Sequence, residues 1–415
     1  MISDSQLTAV FALKGIIHGI WIRFRFEAER VRISGKTYDH KSETMVKNLR
    51  LILIGCLCVL TLTGQPVAAK EKPLVVFACP GTRDDAFFAL MCDFMQAAAD
   101  DLGFELFIYY GDRHTRINHE NVKMIFNRKR LPEFVIGSNS CDSGKLMLDK
   151  AEAAGIKVMI INQGFIGAEQ KAVGQPGEKY TQWLFEFLPD DVQSGYILAR
   201  TLIEKALQNK LVDSHGGVQV LAISGFEGAT VSSLRLQGLR QALREYPNVR
   251  LHLIRYADWE RDISRRVVKE HLAEFPEVTV VWTESDYMAM GIVEGVREMG
   301  MIPGKDVVIG GVDWASLAAG MIENGDYTVS VGGHFLDGAW ALVMLHDALH
   351  GVSVPRLSQS HFSFITADNV APFRRYILNG NWELIDFRKF SKHLNPEITE
   401  YDFSLNAILE QLQAR

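Results

Sequence analysis

From Lys72 onward, the chain alternates short apolar runs rich in β-branched residues with longer segments of helical period. This alternation predicts parallel strands joined by helices, because neighbouring parallel strands need a long crossover between them. The predicted strands are "PLVVFAC", "FELFIYY", "PEFVIGS" and "KVMIINQ" in the first half, and "VQVLAIS", "VRLHLIRYA", "VTVVWTE" and "DVVIGGVDW" after Asp191. Two successive units of this kind predict an α/β protein with two similar lobes, each a parallel sheet flanked by helices.

Length and charge narrow the possible functions. With 415 residues, 47% of them hydrophobic, the chain can bury more than one core. Its formal net charge of -6 includes no block of one sign, so the sequence predicts no nucleic-acid partner.

An export signal is predicted inside the chain rather than at its start. Lys47 and Arg50 precede an apolar run over residues 51–62, and a segment ending in the small residue Ala69 follows. The run is shorter than the roughly 20 apolar residues that span a bilayer. We therefore interpret residues 45–69 as a signal peptide that is cleaved near Ala69, which predicts a periplasmic protein.

Two alternatives stay open around this signal. The string "LIGC", ending at Cys56, resembles a lipoprotein attachment site, and lipid anchoring there is the second interpretation. Residues 1–44 are interpreted as an upstream artefact, with translation beginning at Met45. The competing interpretation is an N-terminal extension that lies at a membrane surface.

Cysteine content bounds the cross-links and metal sites. Cleavage would leave Cys79, Cys92 and Cys141, and an odd number means at least one thiol outside any intramolecular disulfide. One disulfide is permitted in an oxidising periplasm, but the sequence does not choose the pair. No Cys or His spacing suits structural zinc, so neither a metal nor a cofactor is predicted.

Four stretches carry a resemblance to a known family: "SSLRLQGLRQAL" (232–243), "YADWERDISRRVV" (256–268), "VVWTESDYMAMGIVEGV" (280–296) and "VVIGGVDW" (307–314). Their order and spacing resemble the ribose-binding and related sugar-binding proteins of bacterial ABC importers, which are type I periplasmic binding proteins. The resemblance covers about residues 72–368. It implies two Rossmann-like lobes, a three-strand hinge, and a cleft that closes on a small polar ligand.

The resemblance also implies domain boundaries. Residues 70–190 plus 334–360 would form the first lobe, and residues 191–333 plus 361–415 the second lobe with a C-terminal tail. The hinge crossings would lie near residues 188–192, 330–334 and 358–366. In the tail, apolar residues recur at helical spacing, which favours packing on the body of the protein: Leu405, Ile408, Leu409 and Leu412.

Open parallel sheets bind ligands beyond the carboxyl ends of their strands, so the candidate site residues are sought there. In the first lobe, the resemblance implies ligand contacts from Asp85, Phe87 and Phe88. Aromatic rings suit the apolar C–H faces of a sugar, and polar groups suit its hydroxyls. The later loops add Ser138, Asn139, Asn162 and Gln163. Many relatives carry Asp-Arg where this chain has Asn162 and Gln163. We therefore expect a sugar with an unusual arrangement of hydroxyl groups, or a solute other than a common hexose or pentose.

In the second lobe, Trp259 stands where the ribose binder has an aromatic residue that stacks on the opposite face of the ring. The alternative is that Trp259 only fills a gap between the lobes. Ser285 and Asp313 follow two strands, and we expect Asp313 to contact ligand hydroxyls. Asp286 is expected to hold the start of its helix as an N-terminal acceptor.

Three further residues are placed by the same resemblance. Arg235 aligns with a structural arginine of the family, and Ser233 would face the ligand where relatives carry another arginine. His334 lies at a lobe crossing and is a candidate ligand donor, although a lone histidine is more often structural.

The expected partners are a small ligand, interpreted as a sugar, and either an ABC permease or the ectodomain of a sensor kinase of the autoinducer-2 type. The protein is expected to be a monomer. No GxSxG elbow, P-loop or HExxH motif is present, so no catalytic residue is assigned and an enzyme is not predicted. A repressor of the same fold would need a helix-turn-helix where this chain has its export signal.

Overall fold

The computed structural model describes residues 71–413. The predictions on the signal peptide, on Cys56 and on residues 1–44 therefore lie outside the described residues. Within the described range, no helix is long and apolar enough to cross a membrane. The three cysteines there, Cys79, Cys92 and Cys141, carry free thiols.

Two six-stranded sheets confirm the predicted two-lobed α/β class. The first sheet contains β1 (Leu74–Cys79), β2 (Glu105–Tyr110), β3 (Phe134–Gly137), β4 (Lys157–Ile161), β5 (Trp183–Pro189) and β11 (Leu357–Ser360), in the order β11-β5-β4-β3-β1-β2. The second contains β6 (Val218–Ser224), β7 (Val249–Tyr256), β8 (Val278–Thr283), β9 (Val308–Val312), β10 (Val329–Gly332) and β12 (Ser363–Ile365), in the order β12-β10-β9-β8-β6-β7. Strand pairs are parallel except β10 with β12.

Helices alternate with these strands. Those between the first-sheet strands are α1 (Ala86–Leu102), α2 (Thr115–Phe126), α3 (Gly144–Ala154) and α4 (Gly167–Val173). The following ones are α5 (Asp191–Gln208), α6 (Thr230–Leu243), α7 (Arg261–Glu274), α8 (Asp286–Glu298), α9 (Ser316–Glu323) and α10 (Asp337–Leu349). The tail adds α11 (Val370–Tyr376) and α12 (Leu405–Gln413). Every residue of the central strands β1 and β9 is buried, as expected for parallel sheets with helices on both faces.

The chain passes between the two sheets three times. It leaves the first sheet after β5 and enters α5, whose buried face packs in the core of the second lobe. It returns from β10 through Gly333, whose φ of +118° suits glycine, to α10. The third passage is His361–Phe362, between β11 and β12. Three parallel links of this kind leave hinge bending as the available relative motion of the lobes.

The C-terminal tail contacts both lobes. Phe373 of α11 packs edge-on against Trp314 of the second lobe, with ring centroids 4.7 Å apart. Further along, Trp382 and Phe387 lie 5.4 Å and 5.2 Å from Phe94 of α1.

This packing shows where the C-terminal tail lies relative to the two sheets. The sequence predicted that residues 361–415 contain the end of the second lobe and a C-terminal tail. The segment of this tail after α11 packs on the first lobe, where its aromatic side chains cover α1 and α10. The expected packing of the final helix on the body is confirmed by the burial of Ile408 and Leu412.

Candidate ligand-binding cleft

Loops at the carboxyl ends of both sheets surround a cavity of about 250 Å³. Nine of the twelve candidate residues line it: Asp85, Phe87, Phe88, Asn162, Gln163, Trp259, Ser285, Asp313 and His334. The first five come from the first lobe, and Trp259, Ser285 and Asp313 come from the second. The cavity size suits a small solute rather than a drug-sized one.

The other three candidates lie outside this cavity wall. Ser138 is buried, and its hydroxyl lies 2.9 Å from that of Ser140, which does line the cavity. Asn139 is also buried, and its amide donates to Glu169 at 3.0 Å. Ser233 is exposed on α6, because the helix turns Val231 and Arg235 towards the cavity instead.

Asp85 organises the wall contributed by the first lobe. Its Oδ1 accepts from the backbone N–H groups of Phe87 and Phe88, both at 3.0 Å, and so caps the start of α1. Its Oδ2 accepts from Nε of Arg113 at 2.9 Å in an ion pair. One carboxylate therefore fixes both aromatic residues and a cation that the sequence analysis missed.

Phe87 connects this wall to the hinge. Its ring stacks on His334 with centroids 4.3 Å apart and 23° between the planes, while Phe88 meets it edge-on at 5.0 Å. Burial, reinforced by the nearby charge of Arg235, lowers the pKa of His334 well below its ordinary value. The imidazole is therefore neutral at physiological pH and can donate one hydrogen bond and accept another.

Asp313 is acted on electrostatically by charged groups from both lobes, including Arg235 and Asp85. Its Oδ1 is 3.5 Å from Nε2 of His334. Burial raises the pKa of Asp313 well above its ordinary value, although the Arg235 guanidinium opposes the shift. A buried carboxyl that is costly to ionise gains from hydroxyl groups that donate to it, which a polyol can supply.

Trp259 forms the opposite side of the cavity and has room there because of a glycine. A Cβ atom on Gly225, just after β6, would lie 2.1 Å from the Trp259 ring. The half-buried indole therefore occupies space that any other residue at position 225 would take.

Backbone strain is concentrated around the cavity. Ten described residues other than glycine have a positive φ, and five of them line the cavity: Asp112, Arg113, Asn162, Trp259 and Asp313. For Trp259, with φ of +63°, this conformation is costly because the side chain crowds the backbone. Strain of this kind is retained where the surrounding structure holds it, and clusters at functional sites.

A buried ion pair supports the floor of the cavity. Nε of Arg235 donates to Oδ1 of Asp191 at 2.8 Å, and Nη1 donates to the Glu284 carbonyl at 2.6 Å. Helices α5 and α6 approach so closely that a Cβ on Gly238 would lie 2.0 Å from the Val192 carbonyl oxygen. Arg235 also lines the cavity, so it acts as a structural group and as part of the wall.

The helix after β8 begins differently from the prediction. Ser285, not Asp286, caps α8 by accepting from the Met288 N–H at 3.1 Å. The Asp286 carboxylate instead accepts from Tyr327, Ser330 and the Ala315 N–H, at 2.6, 2.7 and 2.8 Å. It therefore holds the loop that carries Asp313, because that loop lies between β9 and α9.

This arrangement, in which two parallel-sheet lobes share a cleft lined from their strand ends, defines a two-lobed solute-binding protein of type I architecture. The chain belongs to the periplasmic binding protein family: residues 75–351 match the model of the periplasmic binding protein domain.

Individual relatives extend this assignment. The chain is 21% identical to the D-apiose import binding protein of Actinobacillus succinogenes over 262 residues, 63% of this chain and 76% of that protein. It is 20% identical to the ribose import binding protein of Salmonella typhimurium over 294 residues, 69% of this chain and 86% of that protein. A solved periplasmic sugar-binding protein of Pseudomonas fluorescens matches with a TM-score of 0.73 and 30% identity, over 81% of this chain and 99% of that one.

Proposed function

We propose that this protein captures a small neutral sugar or related polyol in the cleft between its lobes and delivers it to an ABC permease. The observation that carries the proposal is a cavity lined by Phe87 from one lobe and Trp259 from the other. Two aromatic groups can cover the apolar faces of a sugar while polar groups meet its hydroxyls. The relatives named for apiose and ribose import support the same function.

Charge in the cavity supports a neutral ligand. Five acidic residues line it: Asp84, Asp85, Asp112, Glu260 and Asp313. The two arginines there, Arg113 and Arg235, already face the carboxylates of Asp85 and Asp191. A sugar acid or a sugar phosphate would meet an excess of negative charge with no free cation in the described cavity wall, so we expect such anions to be rejected.

Ligand capture is proposed to act by shifting a population. A solute that contacts both lobes favours the closed arrangement, because only there can it make all of its contacts. We propose lobe boundaries at the three passages, near residues 190, 333 and 361, and no covalent chemistry in the cleft. Export by the segment 45–69 is part of this proposal, as is a monomeric state.

A thermal-shift screen tests the proposal. Neutral monosaccharides and polyols, at about 100 times their dissociation constant, are expected to add about 2.7 kcal/mol to the free energy of unfolding. The unfolding temperature should rise with such a ligand and stay unchanged with the matching sugar acid or sugar phosphate. The ligand should also be recovered unaltered. If no neutral sugar or polyol raises the unfolding temperature, or if the recovered ligand is converted, the proposed function is wrong.

A further inference from the structure

Another cavity, of about 820 Å³, lies where the C-terminal tail meets the hinge, and we call it the hinge cavity. Phe187 and Trp340 of the first lobe line it, together with Trp314 of the second lobe and Phe403 of the tail. None of its lining residues lines the sugar cavity. Its volume is in the range of cavities that hold small organic ligands.

The backbone separates the two cavities at two places. Trp314 lines the hinge cavity while its neighbour Asp313 lines the sugar cavity, and Gly333 and His334 are divided in the same way. His361, in the third passage between the lobes, also lines the hinge cavity. An occupant would therefore contact two of the three passages that link the lobes.

Asp337 is a buried carboxyl group in the wall of the hinge cavity, and one of its oxygens is unused. Only 1% of its surface is exposed, and its Oδ2 accepts from the Ser360 hydroxyl at 2.8 Å. Its Oδ1 has no hydrogen-bond partner among the described residues. Burial, reinforced by the charge of Asp191, raises the pKa of Asp337 well above its ordinary value. A donor in the cavity, above all a cationic one, would offset the cost of burying this carboxyl.

Trp314 contributes a second polar group of this kind. Its side chain is buried, and its indole N–H has no partner within the part of the chain that the structure describes. The wall therefore offers an acceptor at Asp337 and a donor at Trp314. A ligand that donates from one group and accepts at another would satisfy both.

The charge of the wall favours a cation. Asp337, Glu400 and Asp402 supply three carboxyl groups, whereas the described lining residues include one lysine, Lys392, and no arginine. Nζ of Lys392 lies 4.2 Å from the ring centroid of Tyr401, so this cation is held against the tail.

Aromatic rings line the same cavity. Trp340 stacks on Phe403 with ring centroids 4.8 Å apart and 9° between the planes, and Tyr401 stacks on Phe403 at 4.9 Å. Rings of this kind pack against a flat apolar body and attract an ammonium group.

We propose that the hinge cavity binds a small organic amine, whose ammonium group donates to Oδ1 of Asp337 and whose ring-bearing body packs against the aromatic wall. An oxygen atom on that body accepts from the Trp314 indole. This site is additional to the sugar cavity and places a second ligand at the hinge.

Tyramine, tyrosol and phloretate test this proposal. They share one phenol ring and end in an ammonium, a hydroxyl and a carboxylate group, respectively. In calorimetric titrations of the unmodified protein at pH 7.5 without sugar, tyramine should bind saturably. We expect its affinity to exceed that of tyrosol at least tenfold, and we expect no binding of phloretate.

Asp337→Asn should lower the tyramine affinity at least tenfold, to about that of tyrosol. Asparagine keeps the shape of the side chain and an acceptor for the Ser360 hydroxyl, so the unfolding temperature should not fall. Glu397→Gln is the matched control, because it removes an exposed carboxylate of the tail outside the hinge cavity, and it should leave the tyramine affinity unchanged.

Absence of saturable tyramine binding, or equal affinities for tyramine and tyrosol, would overturn the proposal. Full tyramine affinity in Asp337→Asn would do the same. Should that variant fail to fold, the comparison of the three probes on the unmodified protein decides. None of these results bears on sugar capture, because the two cavities share no lining residue.

Discussion

Replacing Arg235 by methionine is expected to lower the free energy of unfolding by about 3–5 kcal/mol. The methionine keeps most of the side-chain volume but removes the cation 2.8 Å from the buried carboxylate of Asp191. It also removes the donor to the Glu284 carbonyl. Urea denaturation at pH 8, followed by circular dichroism, measures the loss.

The pH dependence of this loss separates the lost charge pairing from lost packing. Burial raises the pKa of Asp191 to about 6 even though Arg235 opposes the shift. Without Arg235 the pKa should rise further, so the folded variant takes up a proton more readily than the unfolded chain. Its stability should then recover as the pH falls towards about 5.

Arg240→Met provides the matched control on the exposed face of the same helix, and we expect it to change stability by no more than about 0.5 kcal/mol. A loss below about 1 kcal/mol for Arg235→Met at pH 8, or a loss that grows on acidification, would contradict the assigned ion pair.

Asp313→Ala and Trp259→Ala are each expected to weaken binding of the sugar found in the screen by about 30-fold or more. Trp259 supplies one aromatic wall of the cavity, and Asp313 supplies the buried acceptor beside His334. Neither change should unfold the protein. Burial raises the pKa of Asp313, so the folded state already holds that carboxylate at a cost. Isothermal titration calorimetry at constant pH measures the affinities.

Ser233→Ala is the matched control for these two variants. Ser233 was predicted to face the ligand, but it is exposed on α6 and does not line the cavity. We expect the Ser233→Ala variant to bind the sugar with the same affinity as the unmodified protein. Full affinity in the Asp313 and Trp259 variants, or a comparable loss in the Ser233 variant, would show that the cavity is not the binding site.

The buried strands were predictable because a continuous run of apolar, β-branched residues is typical of a strand that is covered by helices on both faces of a parallel sheet. The four strands that the sequence analysis missed lack that signal. β5 carries Glu186 in its middle, β10 and β12 have four and three residues, and β11, "LSQS", is a half-exposed edge strand. Edge strands of this kind are short and polar, so local hydrophobicity does not reveal them.

Arg113 and Ser233 show why the positions of side chains in the site were harder to predict from the sequence than the fold was. Arg113 follows a strand end, but its contact with Asp85 depends on the left-handed backbone at Asp112 and Arg113. No local sequence pattern predicted that backbone conformation. Ser233 lies outside the cavity wall because the rotational phase of a helix depends on where the helix begins. α6 begins at Thr230, which turns Val231 and Arg235 inwards.

The packing of the tail illustrates the same limit on a larger scale. Helical spacing of its apolar residues predicted that the final helix lies on the body. Which lobe receives the preceding aromatic residues depends on a partner, Phe94 of α1, that is almost 300 residues away in sequence. Contacts between residues so far apart in sequence cannot be predicted from a local sequence pattern.

Small-angle X-ray scattering, with and without the sugar identified by the thermal-shift screen, measures whether the two lobes close on the ligand. We expect a smaller radius of gyration at saturating sugar, because a ligand held by both lobes draws them together. Trp259→Ala, at the same sugar concentration, should keep the larger value of the free protein. An unchanged radius of gyration in the saturated unmodified protein would contradict capture between the two lobes.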